Sequence, residues 1–87
     1  MSKGKRRDFY VAVTKTERGF ASNSLDDLKQ QVQDIGMCLH NAAFFLCQKR
    51  NGNTKIKKKL ICKKPHFKLS SAHEEILNKT CRSFLAA

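Results

Sequence analysis

Leu25, Leu28, Val32, Ile35, Leu39, Ala42 and Leu46 recur at alternating spacings of three and four. That period matches one face of an α-helix and predicts a helix over residues 24–50. Ser24 stands where an N-cap belongs, with Asp26 and Asp27 in the first turn, where the positive end of the helix dipole favours acids. Asn51-Gly52 would end it, because both residue types tolerate the left-handed terminal conformation. At 1.5 Å per residue such a helix runs about 40 Å, long for a chain of 87 residues. Gly36, in its middle, then reads as a bend or a close packing contact. In the second half Met37, Cys38, Ala43, Phe44, Phe45 and Cys47 add apolar groups around the stripe. A helix apolar on most sides is covered on most sides. The cover has to come from a sheet, from another helix or from a second copy of the chain.

The flanks supply the remaining elements. Phe9, Val11 and Val13 alternate with Tyr10, Ala12 and Thr14, a period of two that predicts a strand over residues 8–14. Lys15-Thr16-Glu17-Arg18-Gly19 predicts a turn, with Gly19 taking a positive φ. Phe20 and Ser22 continue as the second strand of a hairpin. After Asn51-Gly52-Asn53, residues 55–64 predict a third strand. Ile56, Leu60 and Cys62 lie on one face and Lys57, Lys59 and Lys63 on the other; Lys58 and Ile61 break the alternation. Pro65, lacking the ladder N–H, ends it. Ser71-Ala72-His73-Glu74 reads as a capping box for a terminal helix, with Ile76, Leu77, Cys81, Phe84 and Leu85 on its apolar face. The expected fold is therefore α+β: a β-hairpin, a long α-helix, a third β-strand and a C-terminal α-helix, with a small antiparallel sheet packed on helices. Residues 1–7 are expected to form a flexible basic arm and residues 8–87 one domain.

Charge narrows the function. Eighteen Lys and Arg face seven Asp and Glu, a formal net charge of +11. Such self-repulsion lowers stability unless an anionic partner neutralises it. The positives also cluster. Lys49, Arg50, Lys55, Lys57, Lys58, Lys59, Lys63, Lys64 and Lys68 fall in one stretch that holds no acid, and Lys3, Lys5, Arg6 and Arg7 form a second group. A phosphate backbone rewards this through counterion release. Lysine predominates, and lysine suits backbone contact better than bidentate base reading, so little sequence specificity is expected. The competing explanation is a solvated edge strand, on which lysines discourage unwanted pairing. Phe67, between His66 and Lys68, and Tyr10 are the aromatic residues placed to stack a base; packing into the core is the common role of such residues.

Other chemistry has thin support. Cys62, His66, His73 and Cys81 do not follow the close Cys and His pairs of structural zinc sites. Buried free thiols are the simpler reading for Cys38, Cys47 and Cys81. His40 follows Cys38 closely, but two residues apart on a helix they would face different ways. Glu74 and Glu75, like Asp26 and Asp27, suit helix starts. Neither a paired-carboxylate site, a phosphate-cradling glycine loop nor a nucleophile elbow appears. No catalytic residue, metal or cofactor is therefore expected. Nor does the sequence carry a secretory signal or an apolar run of membrane-spanning length, which points to the cytoplasm, or to the nucleus in a eukaryote.

These readings converge on a non-enzymatic accessory protein that binds nucleic acid, DNA or RNA, through Lys49, Arg50, Lys55, Lys57, Lys59, Lys63, Lys64, Phe67 and Lys68, assisted by Lys5, Arg6 and Arg7. The alternative is a protein-interaction module or inhibitor that docks the same basic surface on an acidic groove of a nucleic-acid-processing enzyme. A third reading is an oligomeric structural protein built through the long helix. The spacing over 24–50 is compatible both with a homodimer seam and with a monomer that covers the helix itself.

Overall fold

A computed structural model of the protein describes residues 6–50, 56–61, 65 and 67–86. The elements run β1 (Arg6–Thr14), β2 (Gly19–Ser22), α1 (Leu25–Asp34), a single 3-10 turn (Leu39–Asn41), β3 (Ala42–Arg50), β4 (Ile56–Leu60) and α2 (Ser71–Ala86). The four strands form one antiparallel sheet in the order β2-β1-β3-β4. Strand β1 therefore lies between β2 and β3, and α1 carries the chain over the sheet from one side of β1 to the other.

The expected α+β class, the hairpin and the terminal helix are present, with the antiparallel sheet packed on helices. The long helix is not. It ends at Asp34, and residues 42–50 form a central strand. Gly36 is the stop. Its φ is +79°, its N–H donates to the Gln33 carbonyl at 2.9 Å, and the Met37 N–H reaches the Val32 carbonyl at 3.3 Å. These two bonds make a Schellman closure, which terminates a helix and does not merely bend it. Beyond it, the apolar excess of residues 42–47 has a different cause. The strand is covered on both faces over residues 42–45, so both sets of alternating side chains there are apolar.

The two faces are filled separately. On one, Phe9, Val11, Val13, Ala43, Phe45 and Cys47 pack beneath Leu77 and Cys81 of α2, and Phe9 stacks on Phe84 with ring centroids 4.7 Å apart. On the other, Ala12, Ala42 and Phe44 pack beneath Leu28 and Val32 of α1, with Tyr10, Phe20, Leu25, Met37 and Leu39 at the margin. Ser24 caps α1, its Oγ accepting from the Asp27 N–H at 3.4 Å. Asp27 in turn accepts from Ser22 Oγ at 2.8 Å, which ties the helix start to the end of β2.

Two turn assignments change. In the β1–β2 turn the positive φ belongs to Glu17, at 62°, and not to Gly19. Gly19 is needed for another reason. A Cβ there would overlap Thr80 Oγ1 and stand 3.0 Å from Ile76 Cγ2, so the absent side chain lets α2 lie close on β2. The capping box sits one residue earlier than expected. Ser70 precedes α2, its N–H donates to His73 Nδ1 at 3.0 Å, and its carbonyl accepts from the Glu74 N–H. His73 thus takes the role expected of Glu74. Its Nε2 lies 3.3 Å from the Lys15 carbonyl, so with Nδ1 accepting, Nε2–H donates and fastens α2 to the first turn.

Arg6 and Arg7 belong to β1 and pair with Arg50 and Lys49, so the expected arm loses its last two residues to the sheet. The Asn51-Gly52-Asn53 turn lies outside the described residues. No described helix is long and apolar enough to cross a membrane.

Candidate nucleic-acid interface

The β3–β4 hairpin gathers the basic residues. Its register sets Gln48 opposite Lys57, Leu46 opposite Lys59 and Cys47 opposite Lys58. Side chains alternate between the faces of a strand, so Lys57 and Lys59 share a face with Leu46 and Gln48. Lys58 shares the α2 face with Ile56 and Leu60. All three lysines are exposed. On the other side of β3, Arg6 stands opposite Arg50 and Arg7 opposite Lys49. Like charges at directly opposed positions weaken a sheet. Basic positions distant in sequence thus stand at one end of the sheet: Arg6, Arg7, Lys49 and Arg50 on the inner strands, and Lys57, Lys58 and Lys59 on the edge. Asp8 is the one acid on those three strand segments. The other acids stand in the first turn, on α1 and at the start of α2.

The remaining candidates divide. Lys5, Lys55, Lys63 and Lys64 lie outside the described residues. Lys68 is exposed just before α2. Phe67 is half-buried and packs against the core under α2, its ring centroid 5.0 Å from that of His73. That contact engages the ring in packing, as Tyr10 is engaged with the cluster beneath α1. Tyr10 lies on β1 in line with Leu46 and Lys59 and is half-exposed. Leu60 and Ile61 are exposed by 39% and 37% at the same edge.

Of the three described cysteines, two are buried as expected and one is not. Cys47 and Cys81 are fully buried, with their sulfurs 3.5 Å apart between β3 and α2. Cys47 is held protonated far above the ordinary thiol range, chiefly by its hydrogen bond to Cys81 and then by burial. Cys38, expected to be buried, is exposed in the turn after α1, and its Sγ lies 3.4 Å from His40 Nδ1. The reason is the same early helix end: off a helix, residues two apart can face each other. Exposed on a turn, the pair lines neither the crevice between β2 and α2 nor the one beneath Lys58. Of the four residues weighed for zinc, Cys62 and His66 lie outside the described residues. Both nitrogens of His73 and the sulfur of Cys81 are engaged as above. Among the described residues no cluster of three or more metal-ligating side chains occurs.

Compared with protein-family models, with curated proteins and with solved structures, the chain matches none.

Proposed function

We propose that this protein is a non-enzymatic accessory factor that binds nucleic acid through the β3–β4 hairpin and the adjoining end of β1. The observation that carries this reading is the register, which sets basic positions from distant parts of the chain at one end of the sheet: Arg6 and Arg7 opposite Arg50 and Lys49, and Lys57 to Lys59 on the adjacent strand. A solvated edge strand accounts for lysines on β4. It does not account for basic residues at opposed register positions on the two inner strands. An arrangement that lowers stability by itself is relieved when phosphates neutralise it.

A second reading has its own support. Strand β4 is an edge of the sheet among the described residues, and Leu60 and Ile61 stand exposed beside its lysines. An acidic protein surface with an apolar strip would fit that edge too, as an inhibitor of a nucleic-acid-processing enzyme would require. One comparison separates the two. Lys57→Glu together with Lys59→Glu should weaken nucleic-acid binding at least tenfold at low salt, while Lys79→Glu, on the exposed side of α2, should change it by less than threefold. Equal losses from both would mean that only overall charge matters. Tight stoichiometric capture of one protein from extract, unaffected by nuclease, would favour the second reading.

A further inference from the structure

Helix α1 lies across β2 and β1. With the following turn it seals Ala12, Ala42 and Phe44. Toward the other end of that face the cover from the described elements thins beyond Tyr10, which borders the cluster, and the side chains are laid out in two rows. Tyr10, Leu46 and Lys59 form one row across β1, β3 and β4; Asp8, Gln48 and Lys57 form the next. Tyr10, Leu46 and Gln48 are half-exposed, whereas Asp8, Lys57 and Lys59 are exposed. The inner strands therefore offer an aromatic ring, an aliphatic side chain and an amide, and the edge strand offers two flexible cations. Strand spacing puts about 10 Å between the Tyr10 and Lys59 backbones.

We infer that this open half-face takes single-stranded nucleic acid, with a base on Tyr10 and Leu46 and the backbone along Lys57 and Lys59. The inference rests on the nucleic-acid reading above and deepens it. A duplex keeps its base faces inside the stack and meets a protein with phosphates and groove edges, for which Tyr10 and Leu46 have no use. A single strand exposes both parts, and the row from β1 to β4 presents their complements in order: apolar platform first, cations about one nucleotide's reach away. Gln48, in the second row beside Lys57, offers an amide that can meet a base edge. Asp8 is the one acid of the two rows and lies beside Gln48, next to Tyr10 along β1, so it discourages phosphate at that position of β1 and favours Lys57 and Lys59 on the edge.

The chain provides its own reporter. Tyr10 is the only tyrosine, and there is no tryptophan. Its emission should be quenched when a thymidine oligomer on the order of 12 nucleotides is added, a length that single-strand binders commonly cover. A duplex of the same length and linear polyphosphate, which has no bases, serve as comparisons. The single strand should bind more tightly than the duplex and quench the emission, and polyphosphate should bind without quenching. Tyr10→Phe should keep the affinity for the oligomer, and Tyr10→Ala should lose about 5- to 100-fold. Because Tyr10 borders the core, polyphosphate binding by Tyr10→Ala is the control for an intact surface, and it should be unchanged. Binding of all three probes with unmoved emission, or tighter binding of the duplex, would overturn the single-strand assignment and leave the polyanion reading standing. Failure of every probe to bind would remove both.

Discussion

Several of the constraints in this protein act through one atom or one missing atom. At Gly19 the close approach of α2 leaves no room for a methyl group. Gly19→Ala should therefore destabilise the domain by about 1–3 kcal/mol through overpacking, measured by urea unfolding. Because the nearest obstacle is Thr80 Oγ1, Thr80→Ala should recover part of that loss, a coupling a double-mutant cycle resolves. The cysteines make a second test at this scale. Cys38 is exposed, whereas Cys47 and Cys81 are buried against each other. A thiol reagent applied to the native protein should label Cys38 quickly and reach Cys47 and Cys81 only after unfolding, as peptide mapping would report. Rapid labelling of Cys47 in the native state would contradict the packing of α2 on β3.

At the scale of elements, the decisive feature is where α1 ends. Gly36 has a φ of +79°, and nothing stands within 4 Å of a Cβ built on it. The cost of Gly36→Ala is then conformational alone, roughly 1 kcal/mol. Inside a continuous helix the same substitution would stabilise, since alanine is the better helix former. The sign of the change in unfolding midpoint thus separates the two architectures. The same element shows what was legible beforehand. The β1–β2 hairpin, the start of α1 and the apolar face of α2 follow from local periodicity and capping residues, so they could be read directly. Residues 39–47 could not, because Leu39, Ala42 and Leu46 hold a helical spacing by coincidence with a strand that is apolar on both faces. The available signal was the unbroken apolar run Ala42–Cys47, rich in aromatics and following a glycine; it fits a buried strand as well as a helix. The basic stretch was visible as composition. Its pairing with Arg6 and Arg7 was not, because that depends on register across β1 and β3, which no local pattern encodes. Tyr10 was visible as an aromatic on the second face of β1, but its place in line with Lys59 needed the sheet order.

For the molecule as a whole, the shortened helix changes what the apolar residues imply. Phe44, Phe45 and Cys47 are buried inside the sheet layers, so the seam expected over 24–50 does not exist as a helix and supplies no basis for a homodimer. What remains unneutralised is charge, at +11 over the chain. The account stands on electrostatic engagement of phosphates by the cationic end of the sheet, and salt dependence addresses that directly. The measurement is the affinity for a single-stranded oligomer as a function of salt, for the native chain and for Lys57→Glu with Lys59→Glu. The log of the affinity should fall linearly with the log of salt, by about 0.7 per phosphate neutralised, and the double substitution should shallow the slope by about 1.4 if each lysine holds one phosphate. An affinity indifferent to salt, or a slope that the substitutions leave unchanged, would contradict the account.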